Sequence, residues 1–152
     1  MTIAPAQAST GERELAGSLL LDGSGRIGAA LSSAWWWSDL VAFGAALDGS
    51  FTVTDATLPH RLAARGEVRV AIDALTWVPW LELGAGYGVH PEVWSGGLLL
   101  RAGAGVAYRS SRAFSWQARV AWERLAVNRG GDTLQLCIGF AWHRGGAGTL
   151  DF

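Results

Sequence analysis

The sequence predicts an all-β protein, an eight-stranded antiparallel up-and-down β-barrel that crosses a membrane and has a polar, side-chain-filled interior. Three observations predict this fold class. Apolar and polar residues alternate with a period of two along most of the chain. Half of the 152 residues are hydrophobic and only 16% are charged, against about a quarter in ordinary soluble domains. The chain has 21 glycines and nine tryptophans, and its basic residues are all arginine.

One segment, residues 27–47, is long enough for a transmembrane helix. It carries Asp39 near its centre, where an unpaired carboxylate costs roughly 3 kcal/mol. Ser38 and Asp39 are instead typical of a tight turn between two strands. We therefore interpret this segment as a hairpin.

The alternation is clearest in the second half of the chain. From Phe114 onward, apolar residues such as Trp116 and Val120 alternate with polar ones such as Arg119 and Glu123. Such a pattern predicts strands with one apolar face. The strands are expected at residues 13–21, 26–37, 40–53, 62–75, 78–89, 97–109, 114–127 and 133–143.

One face of these strands is apolar and aromatic, and the other mixes small residues with Arg, Asp and Glu. A soluble, lipocalin-like barrel that binds an apolar ligand would crowd the aromatic face into a narrow interior. Turning that face toward lipid removes the crowding, and a closed ladder satisfies every backbone polar group within the membrane. The membrane barrel is therefore the favoured interpretation, and the soluble barrel is an alternative.

The connections at residues 38–39, 76–78 and 110–113 are short, as periplasmic turns of transmembrane barrels are. Aromatic residues cluster at the same ends of the strands, where a girdle at the membrane–water interface is expected. The predicted girdle consists of Trp35, Trp37, Trp77, Trp80 and Phe114.

Charged residues recur on the polar face and are expected to point into the barrel. They are Glu14, Arg26, Asp48, Glu67, Arg69, Asp73, Glu82, Arg101, Arg109, Arg119 and Glu123. Five are positive and six are negative, so the set predicts an ion-paired plug rather than a selective channel. A narrow or gated pore is the alternative.

The turn at residues 110–113 fixes the register of the hairpin around it. If the residues that flank this turn pair across the ladder, Arg101 lies opposite Glu123 on the inner face. The preceding hairpin brings Asp73 and Glu82 together, and two buried carboxylates need a cation between them. We predict a network in which Arg101 links Glu123 to the Asp73–Glu82 pair.

The residues that usually carry chemistry form no catalytic or metal-binding pattern. Of the three histidines, His60 and His90 are expected in loops and His143 at a membrane interface. Because no His-x-Ser pair is present, we predict no enzyme, no cofactor and no metal site. The single cysteine, Cys137, excludes an internal disulfide and is expected to pack inside the barrel. A net charge of −1 argues against nucleic acid as a partner.

Three stretches resemble the small bacterial outer-membrane β-barrels, the OmpA-like and OmpX-like transmembrane domains. Residues 72–88 resemble the strand, proline-containing turn and glycine-rich strand of that superfamily. Residues 98–123 resemble its penultimate hairpin, and residues 134–142 resemble its closing strand, which carries the assembly signal. The resemblance implies a monomer in the outer membrane of a Gram-negative bacterium, inserted there by the barrel-assembly machinery.

The barrel is expected to occupy residues 13–143. Residues 1–12 are expected to be a flexible segment in which Ala6-x-Ala8 resembles the end of a signal peptide. Residues 144–152 are expected to be a tail, so that the assembly signal ends at Trp142. The expected function is structural or surface-interacting and non-catalytic, with the lipid bilayer as partner. A small pore or transport-associated barrel is the alternative.

Overall fold

The computed structural model describes residues 10–52, 61–72, 76–91, 95–126 and 131–145. Each strand in these ranges pairs antiparallel with its neighbours in sequence, and the first pairs with the last, so the sheet closes into a barrel. The predicted fold class is therefore confirmed. The strands are β1 (Arg13–Asp22), β2 (Ile27–Trp36), β3 (Val41–Phe51), β4 (Arg61–Ala71), β5 (Trp77–His90), β6 (Ser95–Arg109), β7 (Phe114–Ala126) and β8 (Asp132–Arg144).

The ladder continues for a few residues before β1. The N–H of Gly11 donates to the carbonyl of Trp36 at 2.7 Å, and the N–H of Trp36 donates to the carbonyl of Glu12 at 2.9 Å. Glu12 is consequently fixed and buried, although it lies in the segment expected to be flexible. The proposed cleavage site at Ala8 and the terminal residue Phe152 lie outside the described residues.

Burial follows the period of two that the sequence predicted. Along β4 every second residue is buried, beginning with Arg61, and the residues between them are exposed. The buried side chains of this strand therefore include its arginines and its glutamate, while Leu62, Val68 and Val70 are exposed on the outer face. This order is the reverse of a soluble barrel and matches a wall surrounded by hydrocarbon. Among the described residues, no helix has the length and apolar character needed to span a membrane.

The interior also has two small apolar clusters that separate its polar groups. One surrounds Trp36 and Trp80 near the end where β1 begins and β8 ends, which we call the end of the termini, and the other joins Leu99 to Leu125 near the opposite end. Trp80 lies opposite Gly105 in the β5–β6 ladder. A Cβ atom at that glycine would overlap the indole ring, so glycine is what admits a large side chain to the narrow interior.

Candidate functional site

The centre of the interior is organised by Arg101. It lies opposite Glu123 in the register expected from the β6–β7 turn. Its Nε is 2.9 Å from Oε1 of Glu82, and its Nη1 is 3.2 Å from Oε2 of Glu123. The same Nη1 donates to Oε1 of Gln135 at 2.5 Å. Because Arg119 also approaches Glu82, at 3.2 Å, each charge here has several partners.

Toward the end opposite the chain termini, two arginines of β4 hold one carboxylate. Nη2 of Arg61 lies 2.8 Å from Oδ2 of Asp48, and Nη1 of Arg65 lies 2.6 Å from Oδ1. Arg61 also contacts Glu123, a partner of Arg101. The group around Asp48 is thereby joined to the centre.

Toward the termini, Arg69 has a comparable role. Its Nη1 lies 2.7 Å from Oε1 of Glu14, and its Nη2 lies 3.3 Å from Oε1 of Glu67. Its guanidinium lies over the ring of Trp80, 5.1 Å from the centroid, in cation–π geometry. Gln117 donates to the Glu14 oxygen at 3.1 Å. The guanidinium of Arg69 is therefore contacted on its face by the Trp80 ring and at its edge by the carboxylates of Glu14 and Glu67.

Three further side chains form a hydrogen-bonded chain just inside the end that carries the termini. Oγ of Ser115 lies 2.8 Å from Nε2 of His143, and Nδ1 of His143 lies 2.7 Å from Oε1 of Glu12. The same Glu12 oxygen accepts a hydrogen bond from Arg109 at 3.3 Å. A second carboxylate, that of Glu14, lies 3.9 Å from Nδ1 of His143.

Taken together, these contacts form one network along the barrel. Glu67 connects its two halves, since it contacts Arg69 and also lies 3.6 Å from Nε of Arg65. Buried ion pairs of this kind contribute little net stability, but removing one partner costs roughly 3–5 kcal/mol because the other charge remains buried. The buried charges that the structure describes are Glu12, Glu14, Asp22, Asp48, Glu67, Glu82 and Glu123 with Arg61, Arg65, Arg69, Arg101, Arg109 and Arg119.

Two of the predicted interior charges need separate comment. The expectation for Arg26 is wrong, because this residue belongs to the turn before β2, where it is half-buried and lies 3.5 Å from Asp22. The turn forms because the carboxylate of Asp22 accepts the backbone N–H of Ser24 at 2.9 Å and of Arg26 at 3.0 Å. Asp73 lies outside the described residues, so the Asp73–Glu82 pair stays a prediction.

Several members of the network were not identified from the sequence. Arg61 and Arg65 have the same parity in β4 as Glu67, so extending the alternation to the start of that strand would have found them. His143 was expected at the membrane interface, and this was wrong. Its parity in β8 directs it inward, where its partners Ser115 and Glu12 are far away in sequence.

The structure places the five residues predicted for the aromatic girdle on two different faces of the barrel. Trp35, Trp37 and Trp77 are exposed on the outer face. Trp80 is only 4% exposed, because its parity matches that of Glu82 and directs it into the barrel. The ring of Phe114 contacts other outer-face aromatics at centroid distances of 5.4, 5.9 and 6.3 Å, namely those of Trp116, Phe140 and Trp142.

The apolar part of the outer face ends at a pair of charged residues. Arg124 of β7 and Asp132 of β8 are exposed and lie 3.8 Å apart near the end opposite the termini. From Phe114 to Arg124 the strand takes ten steps. At about 3.3 Å per residue and a tilt of about 40°, they give an apolar band of about 25 Å, the usual height for a transmembrane barrel.

The described residues contain no group of three or more His, Cys, Asp or Glu side chains arranged to hold a metal ion. Cys137 is buried as a free thiol, 3.9 Å from Nη2 of Arg101. Chemically, most of the interior can hold strands together through paired charges. The chain of Ser115, His143 and Glu12 differs, since it connects a hydroxyl, an imidazole and a carboxylate in sequence.

No protein-family model matches the sequence, and no curated protein matches it either. Solved barrels are similar in structure. The N-terminal β-barrel domain of Pseudomonas aeruginosa OprF matches with a TM-score of 0.74 and 10% identity, covering 90% of this chain and 100% of that one. The outer membrane protein OprG of the same organism gives 0.66 and 10%, covering 95% and 100%.

A de novo designed transmembrane β-barrel matches as well, with a TM-score of 0.68 and 13% identity over 91% of this chain and 99% of that one. The TM-score of the designed barrel lies between those of the two natural ones. At these identities the likeness is one of fold. The chain has the fold of the small outer-membrane β-barrels, as the resemblance in its sequence implied.

Proposed function

We propose that the protein is a monomeric β-barrel of the bacterial outer membrane with a structural or surface-interaction role, and that it is filled rather than open. The observation that carries this proposal is the ion-paired network that occupies the interior from His143 at one end to Arg61 at the other. An eight-stranded barrel has an interior just wide enough for side chains to fill. Near-equal numbers of buried acids and arginines favour internal pairing over selection of one ion.

The outer wall supports the membrane location. Leucine, isoleucine and aromatic side chains are exposed on every strand, a surface that in water would be a large aggregation-prone patch. The band between the aromatic girdle and the Arg124–Asp132 pair has the height of a hydrocarbon core. The lipid bilayer is therefore the first partner of this surface, and insertion by the barrel-assembly machinery follows from that location.

The two ends of the barrel suggest how it is oriented. The short turns, the start of β1 and the end of β8 lie at the girdle end, as they do on the periplasmic side of such barrels. The opposite end would then face outward, so its connections are the place for surface interactions. A role of this kind depends on the rigid wall and its loops, and needs no catalytic step, cofactor or metal.

Planar-bilayer recording tests the filled interior. Purified protein refolded from denaturant should insert without producing stable single-channel steps, whereas an open porin added to the same bilayer should produce them. A gel comparison of unboiled and boiled samples checks the fold, because a closed barrel that survives detergent migrates differently until it is boiled. Stable steps from folded protein would replace this proposal with the pore.

A further inference from the structure

Two arginines lie side by side on the outer wall at the girdle end of the barrel. Arg13, the first residue of β1, pairs with Arg144, the last residue of β8, and both side chains are exposed. Side chains directly opposite each other on one face of a ladder are about 5 Å apart at Cβ, and like charges in this position repel. Within the described ranges, neither guanidinium forms an ion pair. An anion from outside the chain would therefore be stabilised between them.

The surroundings of this arginine pair favour an anion at the membrane surface. Arg13 is opposite Trp35 of the girdle in the β1–β2 ladder, so the pair lies at the level where lipid headgroups begin. Arg112, in the turn before β7, adds a third exposed cation at this end. Of the residues that the structure describes there, Asp39 is the one exposed acid, and it accepts a hydrogen bond from Thr10 at 3.3 Å.

A groove on the outer wall begins beside the arginine pair. Its first part is lined by Arg13, Trp35 and Phe43, and it extends to Ser33 and Ala45. Ser33 and Ala45 are opposite each other on the outer face of the β2–β3 ladder. Because both side chains are short, the wall is lower here than in the row formed by Trp35 and Phe43.

The groove continues through a gap in a row of large side chains. In this row Ala64 of β4 is opposite Leu47 on one side and Tyr87 on the other. Leu47 is 61% exposed and Tyr87 is 57% exposed, so both project from the wall and Ala64 leaves the gap between them. The second part of the groove, about 550 Å³, includes Ser33, Ala45 and Ala64, and the third, about 620 Å³, also includes Ala64. The three parts are therefore continuous, and each of these two volumes is typical of a ligand site.

The height of the groove matches one leaflet of a bilayer. From Trp35 to Ala29, which lines the third part, β2 takes six steps. At about 3.3 Å per residue and a tilt of about 40°, these steps rise about 15 Å, which is half of a hydrocarbon core of about 30 Å. An acyl chain that enters the groove at the girdle therefore ends near the bilayer midplane.

We propose that this wall binds one anionic glycerophospholipid, with its phosphate between Arg13 and Arg144 and one acyl chain in the groove over Ala64. The proposal rests on the membrane location proposed above and assigns a particular lipid site within it. Guanidinium groups hold phosphate oxygens through charge-assisted hydrogen bonds, and the phosphate charge offsets the repulsion within the pair. A headgroup with an ammonium group would bring a further cation to two arginines, so phosphatidylglycerol should bind more tightly than phosphatidylethanolamine.

The acyl chain contributes in a different way from the headgroup. Apolar surface is no more favourable in the groove than elsewhere in the hydrocarbon, so the chain gains only closer van der Waals contact with the groove walls. The arginine pair should therefore supply most of the affinity, and the gap at Ala64 a smaller part.

Native mass spectrometry of the folded protein in detergent, with phosphatidylglycerol added at increasing concentration, tests the site. The wild type should retain one phospholipid per barrel after the detergent is removed in the gas phase. The double variant Arg13→Gln, Arg144→Gln should weaken retention by about tenfold or more, because two charge-assisted contacts are lost. Ala64→Leu should weaken it by about threefold, because leucine closes the gap between Leu47 and Tyr87.

Two variants serve as matched controls. Arg124→Gln removes one exposed arginine at the opposite end, where it contacts Asp132, and Ala104→Leu enlarges an exposed alanine of β6 outside the groove. Both should retain phosphatidylglycerol as the wild type does. Two further ligands need no variant: diacylglycerol, which lacks the phosphate, and glycerol phosphate, which lacks the chains, should each bind the wild type about tenfold more weakly or less.

Heat-modifiable migration on a gel shows that each protein is folded. A folded wild type that retains no phospholipid would overturn this inference and leave the membrane barrel in place, whereas a protein that stays soluble without detergent would overturn both. Equal retention by the double arginine variant and Arg124→Gln, or of diacylglycerol and phosphatidylglycerol, would also overturn it. Dimers of the wild type that Ala64→Leu abolishes would assign the groove to a second barrel instead of a lipid.

Discussion

Glu82 and Leu83 are adjacent in β5, yet Glu82 is 2% exposed and Leu83 is 68% exposed. The same contrast holds between the inner and outer faces of every strand. Inside, each charged group meets particular partners at hydrogen-bond distance, and outside, side chains need only be apolar. The inner face should therefore be sensitive to the identity of a residue, and the outer face to its polarity.

Two ion pairs in neighbouring ladders show how differently the inner and outer faces expose charged side chains. Arg101 and Glu123 are both 1% exposed in their side chains, whereas Arg124 and Asp132 are 61% and 56% exposed. The first pair is surrounded by protein and the second is exposed on the outer face. If one partner is removed, the remaining charge stays buried and uncompensated in the first pair, whereas in the second pair it is hydrated by solvent.

The largest effect is expected from Arg101→Ala. This change removes one of the two arginines that contact each of Glu82 and Glu123, so a buried negative charge is left uncompensated and the free energy of unfolding should fall by roughly 3–5 kcal/mol. Arg124→Ala, the matched control on the outer face, should cost about 0–1 kcal/mol. Urea unfolding in lipid vesicles, followed by gel migration, measures both. Equal losses for the two variants would remove the distinction between the faces.

A comparable contrast is expected between two tryptophans of β5. Trp80→Ala empties the space beside Gly105 and removes the cation–π contact with Arg69, so it should cost roughly 3–5 kcal/mol. Trp77→Ala should cost less, because that ring is already 57% exposed. The same unfolding assay applies. A greater loss of stability for Trp77→Ala than for Trp80→Ala would contradict the burial of Trp80 inside the barrel.

A charge on the outer face should be costly in a different way. Leu83→Arg places a guanidinium near the middle of the apolar band and should destabilise the barrel by roughly 2–4 kcal/mol in vesicles. Leu83→Ile, which keeps the side chain apolar, should leave the free energy of unfolding nearly unchanged. If arginine at this position were tolerated as well as isoleucine, the outer face would not contact hydrocarbon.

The coupling energy between Arg101 and Glu123, which is a smaller effect, tests their pairing directly. A double-mutant cycle with Arg101→Ala and Glu123→Ala should give a coupling energy of about 1–3 kcal/mol, because residues in one network are not additive. The corresponding cycle on Arg124 and Asp132 should give a coupling below about 1 kcal/mol. Additive losses at the inner pair would mean that the two side chains do not interact.

The fold could be predicted from the sequence because the strand period alone determines which side chains share a face. The pairing of Arg101 with Glu123 could be predicted too, since a short turn fixes the register of a hairpin. The contacts of Arg61 with Glu123 and of His143 with Glu12 could not. They join strands distant in sequence, and depend on how far long side chains reach across the closed interior.

The inward orientation of Trp80 could also have been predicted, because it has the same parity in β5 as Glu82. Its position near a turn favoured the aromatic girdle instead. Arg26 shows the opposite difficulty. Its parity fits the interior, yet the carboxylate of Asp22 organises a turn that takes Arg26 out of the strand. Within a strand, the alternation correctly assigns residues to the inner or the outer face. The residue at which the strand begins is instead determined by hydrogen bonds within the adjacent turn.

The central claim is that the apolar outer face of this barrel lies in hydrocarbon. It is tested most directly by a nitroxide spin label at Leu83→Cys in a Cys137→Ser background, in lipid vesicles. Leu83 is six residues from Trp77 and thus about 15 Å into the apolar band. If the outer face lies in hydrocarbon, collisions of the label with dissolved oxygen, which enters lipid, should exceed those with a water-soluble nickel chelate. Collisions dominated by the nickel chelate would contradict it.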